Sequence, residues 1–244
     1  MANVITHEDG NTFVAGGLTF KFINSNYKDH KTTDKEVVVL KSADILRSYD
    51  RVFDAAPNKN FLEIGIFEGG STLFFAVAHP EFRISALDIR DPDDAVLRHI
   101  HDLGLNERVK IHYNTSQSDK DALGKIIRED FRDEDIGFIC DDASHNYGLS
   151  RRTFELTFGK LARGGQYCLE DWAWAHWKST SSTAAALTNL VFEMVVLLPS
   201  TRPLIDSIEI LPNYVRLVRG PGKIDSDISI DSMMRLRDKR LTLI

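Results

Sequence analysis

The sequence predicts an α/β protein with a doubly wound, seven-stranded, mostly parallel sheet. From Asn60 onward, short apolar runs alternate with helical patterns of about 10–15 residues, which is typical of βαβ units. Near the C-terminus this order changes, because "LIDSIEIL" and "YVRLVRG" are separated only by Pro212-Asn213 and therefore predict an antiparallel hairpin. No repeat or linker divides the 244 residues, which are enough to bury a core without disulfides.

The individual elements follow from local patterns. A helix is predicted over "KSADILRSYDRVFDAAP", because Ser42 can cap it and apolar residues recur at helical spacing. The predicted parallel strands are "NFLEIGI", "RISALDI", "RVKIHY", "IGFICD" and "QYCLED". Residues 1–35 are polar and contain glycines, so we expect an extended lead-in rather than a core element. The predicted organisation is an N-terminal extension and helix over 1–57, which is a candidate lid or oligomer contact, the α/β domain over 58–222 and a tail over 223–244.

Composition limits the class of protein. The formal net charge of −6 argues against a nucleic-acid-binding protein, which usually carries a basic excess. No stretch approaches the roughly 18–20 apolar residues that a membrane span needs. The start "MANVITHEDGNTF" lacks the features of a secretion signal, and two cysteines fit a reducing compartment. We therefore expect a soluble, cytoplasmic protein with neither nucleic-acid nor membrane partners.

The stretch "FLEIGIFEGGST" places a strand directly before a glycine-bearing loop and a helix. Glycines at this point allow the backbone to turn tightly and to lie close to a ligand. The spacing Gly65-x-x-x-Gly69 is not the G-x-G-x-x-G of dinucleotide-binding enzymes. Asp88 ends the next strand, where an acid commonly binds a ribose diol. Any βαβ unit can use a glycine turn, and Asp88 can simply cap a helix. Glu63, Gly65 and Asp88 together nevertheless favour ligand binding.

Glu63-x-Gly65-x-x-x-Gly69, followed by an acid at the end of the second strand, resembles class I S-adenosylmethionine (SAM)-dependent methyltransferases over roughly residues 58–220. That family has a Rossmann-like sheet that also ends in an antiparallel hairpin. The resemblance implies that SAM is the cofactor and that its methionine end lies at Glu63, Gly65 and Gly69. It further implies Asp88 at the ribose and Ser116 and Gln117 near the adenine, although these last two can equally cap the next helix.

Two predicted strands end on pairs of acids, Asp141-Asp142 and Glu170-Asp171. If these strands are neighbours, four carboxylates meet at one edge of the sheet, where ligands of doubly wound folds bind. Like charges that close repel unless a cation neutralises them, and carboxylate oxygens favour hard ions such as Mg²⁺. The alternative is that the acids cap helices or pair with an arginine.

His145 follows the first acid pair at the spacing Asp142-x-x-His145. A lone histidine is usually an ordinary polar residue, but an unperturbed pKa near 6.5 suits removal of a hydroxyl proton beside a methyl donor. The sequence therefore makes His145 the candidate general base. Cys140 and Cys168 are interpreted as small buried residues rather than ligands.

Asp-x-x-His after the fourth strand and Glu-Asp after the fifth are similar to the magnesium-dependent O-methyltransferases that act on sugar hydroxyls of macrolide antibiotics. They are also similar to the related cephalosporin hydroxylase-like proteins, and more distantly to catechol O-methyltransferases. The resemblance implies Mg²⁺ bound by Asp142, Glu170 and Asp171, His145 as base, and no assigned role for Asp141. It also implies a small-molecule hydroxyl substrate and a homo-oligomer, either a dimer or a tetramer.

The sequence is also compatible with three rival functions. A hydroxylase is less favoured because only one histidine lies near the acids, whereas the iron pattern needs two. The glycine spacing and the terminal hairpin argue against a NAD-binding enzyme. The acids and the candidate base argue against a non-catalytic SAM-binding protein. Tryptophans in "WAWAHW" can stack on a substrate or pack an interface, and Trp172 is the first candidate for the site.

Overall fold

A computed structural model describes residues 5–6, 12–23, 27–176, 185–224, 227–237 and 239–240. The strands are β1 (Ile5–Thr6), β2 (Thr12–Ala15), β3 (Leu18–Phe22), β4 (Glu36–Val39), β5 (Asn60–Ile64), β6 (Arg83–Leu87), β7 (Val109–His112), β8 (Ile136–Asp141), β9 (Leu161–Glu170), β10 (Ile205–Ile210), β11 (Tyr214–Arg219), β12 (Arg235–Leu236) and β13 (Lys239–Arg240). The α-helices are α1 (Ala43–Ala55), α2 (Gly70–Ala78), α3 (Asp94–Asp102), α4 (Lys120–Phe131), α5 (Tyr147–Thr157), α6 (Leu187–Ser200) and α7 (Ile230–Met233).

The largest sheet has seven strands in the order β10-β11-β9-β8-β5-β6-β7. The five strands from β9 to β7 are parallel, and β11 pairs antiparallel with both β9 and β10. This confirms the predicted doubly wound α/β fold with its C-terminal hairpin. The sheet order reverses direction at β5 and β8, so the loops after these two strands border the crevice where doubly wound folds bind ligands.

Side-chain caps explain where several helices begin. The Ser42 side chain accepts from Ile45 N and caps α1, as its sequence pattern predicts. Asp93 and Asp119 cap α3 and α4 in the same way. In contrast, α2 follows Gly69, which has a φ of 71° and no side chain to cap the helix. The first backbone N–H groups of α2 are therefore not capped by a side chain at this position.

The N-terminal region forms a second sheet, with the strand order β1-β2-β3-β4. Phe13 and Phe20 are buried, stack with ring centroids 4.9 Å apart, and contact Phe74 of α2 edge-on. The expectation that residues 1–35 are a lead-in outside the core was therefore wrong. Two short alternating segments bury aromatic rings only when they pair with each other, and this pairing is a long-range property that neither segment shows alone.

The two faces of the seven-stranded sheet carry separate apolar clusters. One lies against α1, α2 and α3 and includes the N-terminal strands, and the other lies against α4, α5 and α6. Ile228, Ile230 and Met234 of the predicted tail are buried in the second cluster. Glu155 of α5 accepts a hydrogen bond from Ile230 N at 3.0 Å. Within the described ranges, no helix combines the length and apolar character needed to span a bilayer.

Candidate active site

The candidate site lies at the carboxyl edge of the parallel strands, where the loops after β5, β6, β8 and β9 meet. These loops continue the hydrogen bonding of the sheet beyond the strand ends. Gly65 N donates to Leu87 O at 2.9 Å, and Asp142 N donates to Ile64 O at 2.8 Å. The prediction that the two acid-ended strands are neighbours is confirmed, because β8 and β9 pair in parallel.

The glycine loop after β5 packs directly on the loop after β8. Gly65 has a φ of 88°, and a Cβ at this position would lie 2.5 Å from Ala143 Cα. Both the dihedral angle and the close approach exclude other residues here. The loop that the sequence assigns to the methyl donor therefore contacts the loop that carries Asp142 and His145.

Glu63 is a fully buried carboxyl group on β5. Its Oε2 accepts the Thr72 hydroxyl at 2.5 Å, whereas Oε1 has no hydrogen-bond partner among the described residues. Burial raises the pKa of Glu63 to about 7, against the opposing charge of Lys41 and the Ser71 and Thr72 hydrogen bonds, which lower it. A buried carboxylate oxygen without a partner is uncommon in folded proteins and indicates that a polar or cationic group belongs beside it.

Asp88, which ends the second parallel strand, holds the glycine loop. Its Oδ2 accepts Ile66 N at 2.9 Å and Phe67 N at 3.0 Å, and its Oδ1 accepts Arg90 N at 2.9 Å. Phe67 has a φ of 51°, which is uncommon for a non-glycine residue. Since a carboxylate has about four acceptor positions, Asp88 keeps capacity for one more donor.

Ser116 and Gln117 differ in their surroundings. The Ser116 hydroxyl lies 3.2 Å from the Ser118 hydroxyl, in the turn before α4. Gln117 is buried, and its amide donates to the Thr153 hydroxyl at 2.9 Å and to Asp141 Oδ1 at 3.5 Å. Neither residue caps α4, because Asp119 does so.

The two adjacent aspartates of the first pair face different surroundings. Asp141 is buried and accepts the Tyr167 hydroxyl at 3.0 Å. Burial raises the pKa of Asp141 to about 7 despite this hydrogen bond. Asp142 lies instead with His145 and Asp171. Because successive side chains of a strand point to opposite faces, only one of Asp141 and Asp142 can face His145 and Asp171.

Asp142, His145 and Asp171 form a half-buried cluster in which one ligand atom from each lies within 4.8 Å of the others. His145 Nε2 lies 3.5 Å from both Asp142 Oδ1 and Asp171 Oδ2. Burial alone would lower the pKa of His145, but the hydrogen bond to Asp142 and the nearby carboxylates raise it overall. These atoms can hold a hard divalent cation, or they can hold an imidazole ready to accept a proton.

The backbone of the cluster is held in a sparsely populated conformation. His145 and Asp171 each have a φ of 51°. Such a conformation costs of order 1–3 kcal/mol per residue and is found preferentially at functional sites. The Trp174 ring lies 5.5 Å from the His145 ring, so the tryptophan-bearing loop after β9 reaches the cluster. Trp172 does not have this role, because its indole N–H donates to Leu211 O at 2.7 Å and attaches the loop to the β10–β11 turn.

The sequence interpretation missed Lys41, which lies between β4 and α1. Its ammonium group contacts Asp142 Oδ2 and donates to Glu170 Oε2 at 2.8 Å. The side chain is 4% exposed. Burial lowers the pKa of Lys41, but Asp142 and Glu170 raise it well above its usual value, so the group remains charged. No local sequence signal marks this lysine, because its partners lie more than a hundred residues away.

Glu170 is separated from the cluster by these contacts. Lys41 occupies its Oε2, while Oε1 accepts the Tyr49 hydroxyl at 2.7 Å and the Cys140 thiol at 3.1 Å. Of the three predicted metal ligands, Asp142 and Asp171 therefore lie together with His145, whereas Glu170 is paired within the protein. Cys140 and Cys168 are buried, as predicted for core residues.

Comparisons with known proteins bear on the fold of the chain. Residues 62–172, just under half of the chain, match the family model described as a methyltransferase domain. No curated protein sequence matches the chain. Among solved structures, the MycE methyltransferase of the mycinamycin biosynthetic pathway, in complex with Mg and SAH, is 24% identical with a TM-score of 0.55. That alignment covers 74% of this chain and 51% of MycE, so this chain spans about half the length of that protein.

Two shorter proteins have the same fold. A caffeoyl-CoA O-methyltransferase structure from Staphylococcus aureus has a TM-score of 0.56 at 14% identity, covering 75% of this chain and 86% of its own. An O-methyltransferase from Bacillus cereus in complex with SAH has a TM-score of 0.55 at 18% identity, with coverages of 73% and 82%. Residues 62–172 therefore match a methyltransferase domain, and the chain has the fold of these methyltransferase structures.

Proposed function

We propose that this protein transfers a methyl group from SAM to a hydroxyl group of a small molecule, assisted by Mg²⁺ or another hard divalent cation. The observation that carries the proposal is the direct packing of the glycine loop at Gly65 on the loop that carries Asp142 and His145. This packing brings the predicted donor site and the predicted base to one crevice.

The residues assigned to the donor fit SAM chemically. SAM carries an ammonium group at its methionine end, which would satisfy the unpartnered Oε1 of Glu63. The glycine conformations at Gly65 and Gly69 permit close approach of the ligand to the backbone. Asp88 keeps acceptor capacity for a ribose hydroxyl. Ser116 and Gln117 stay assigned to the adenine region, with Gln117 acting through its backbone because its side chain is buried.

The acidic cluster fits a hard cation. Asp142 and Asp171 supply carboxylate oxygens from neighbouring strand ends, and hard cations prefer such ligands. When bound, the ion would act as a Lewis acid that lowers the pKa of a substrate hydroxyl. We retain Glu170 as a third candidate ligand, although its oxygens are paired with Lys41, Tyr49 and Cys140.

In the proposed reaction, the neutral imidazole of His145 accepts the proton of the substrate hydroxyl. The substrate oxygen attacks the methyl carbon of SAM, the bond between that carbon and sulfur breaks, and S-adenosylhomocysteine leaves with the electron pair. Asp142 and Asp171, each 3.5 Å from Nε2, would orient the imidazole and stabilise the imidazolium that forms. The remaining contribution of the protein is to align the two reactants.

We infer that the acceptor is a sugar hydroxyl of a glycosylated natural product, such as a macrolide. Support comes from the likeness to MycE, which has also been solved in complex with Mg, SAH and mycinamycin VI. A catechol-type acceptor is the second candidate, favoured by the likeness to the caffeoyl-CoA O-methyltransferase structure. Trp174, beside His145, offers an aromatic face to either acceptor. A homo-oligomer and a cytoplasmic location remain predictions.

The test separates donor, metal and acceptor. Calorimetry should detect binding of SAM and S-adenosylhomocysteine but not of NAD. Radiolabelled SAM should then transfer its methyl group to a macrolide glycoside or to a catechol, more slowly after EDTA treatment and again at the full rate when Mg²⁺ is returned. Binding of NAD without SAM would refute the proposal. Binding of SAM without transfer to any hydroxyl acceptor would indicate a non-catalytic SAM-binding protein.

A further inference from the structure

Lys41 is held in place on both sides by ordered structure. On its N-terminal side, β4 is fixed by the Thr32 hydroxyl, which accepts Val38 N at 3.1 Å. On its C-terminal side, Ser42 caps α1 by accepting Ile45 N at 3.3 Å. The position of Lys41 is therefore set by the fold, and its side chain enters the acidic cluster from a fixed backbone.

The charge of Lys41 is matched to the acids that it contacts. A buried ammonium group without a partner would be costly, but here it bridges Asp142 and Glu170. Both partners come from the strand-end acid pairs of neighbouring strands. The protein thus supplies one positive charge to a cluster of carboxylates that would otherwise repel one another.

A divalent cation would need some of the same oxygens. Lys41 already contacts Asp142 Oδ2 and Glu170 Oε2, which leaves Asp142 Oδ1, Asp171 and His145 facing the cluster. Lys41 and the cation also carry like charges at close range. We propose that Lys41 is a built-in counter-cation that competes with a divalent cation for Asp142 and Glu170, and thereby weakens cation binding at this site. This inference rests on the proposed function only in placing a cation at the acidic cluster.

The test measures binding of Mn²⁺ alone, using the electron paramagnetic resonance signal of the free ion. Lys41→Met should bind Mn²⁺ at least tenfold more tightly than the wild type, because the competing charge is gone. Lys41→Arg keeps the charge and should remain within about threefold of the wild type. Lys35→Met removes an exposed lysine with the same change in net charge and should leave the affinity unchanged.

Lys41→Gln is the second variant if Lys41→Met does not fold, because an amide can still donate to the two carboxylates. It should show the same tightening, and adding Asp171→Asn should abolish the gain if the ion lies in the cluster. Unchanged or weaker binding after neutralisation of Lys41, or equal tightening in Lys41→Arg, would overturn the inference. Methyl transfer in EDTA is measured separately, so the failure of this inference and the failure of the proposed function give different results.

Discussion

His145 Nε2 and Asp171 Oδ2 lie 3.5 Å apart, although the two residues follow different strands. Both have a φ of 51°, so each loop adopts an unfavourable backbone conformation to bring these atoms together. The contact joins the candidate base to the loop that also carries Trp174.

Replacing His145 with Ala should lower methyl transfer by roughly 100-fold or more, because general-base catalysis typically contributes 10²–10⁴. Binding of SAM should stay within about twofold of the wild type, since His145 is not assigned to the donor. The measurements are initial rates with radiolabelled SAM and calorimetric titration of the donor. His101→Ala, at an exposed position on α3, is the control, and an unchanged rate in His145→Ala would exclude the base role.

Gly65→Ala should destabilise the protein by at least about 3 kcal/mol. Alanine tolerates the positive φ of this position poorly, and its Cβ would clash with the loop after β8. Urea denaturation followed by tryptophan fluorescence gives the free energy of unfolding. Gly104→Ala is the matched control, since Gly104 has a φ of 66° but nothing within 4 Å of its hypothetical Cβ. It should cost only about 1 kcal/mol. Equal losses would mean that the contact with the Asp142 loop does not matter.

Asp88→Asn should weaken SAM binding at least tenfold and lower the free energy of unfolding by about 1–3 kcal/mol. An amide has only one acceptor oxygen, whereas Asp88 uses both oxygens to hold Ile66, Phe67 and Arg90. Calorimetry and denaturation measure the two effects. Asp93→Asn changes the cap of α3, where Asn serves as well as Asp, and should alter neither quantity. Normal SAM affinity in Asp88→Asn would separate this residue from the donor site.

Glu63 should make the protein without ligands less stable as the pH rises. Its folded-state pKa is raised from 4.5 to about 7, so the folded state binds the proton more tightly than the unfolded state does. The free energy of unfolding should therefore fall between pH 4.5 and about 7, by about 3 kcal/mol from this group, and then level off. Urea denaturation at pH 5 and pH 7.5 measures this fall.

Glu63→Gln should reduce that fall but not remove it, because Asp141 is also buried with a pKa raised to about 7 and acts with the same sign. Glu107→Gln, at an exposed position, should behave like the wild type. If Glu63→Gln retains the full pH dependence, Glu63 is not the group that titrates.

Much of the candidate site could be predicted because strand direction determines where strand ends lie. Asp88, Asp142 and Asp171 each follow a parallel strand, and the carboxyl ends of parallel strands share one edge of the sheet. The separation of Asp141 from Asp142 also follows from the alternation of side chains along a strand. The metal, donor and base assignments of these residues stay predictions until they are measured.

The sequence by itself determined the α/β order, the terminal hairpin, the glycine turn at Gly65 and the edge at which the acids gather. All of these depend on local periodicity and on neighbouring residues. Only the tertiary structure decided that the N-terminal strands join the core, that Trp174 rather than Trp172 lies beside His145, and that Lys41 pairs with Asp142 and Glu170. Such contacts join residues far apart in the chain, and their energy comes from burial and charge pairing that exist only after the elements have packed.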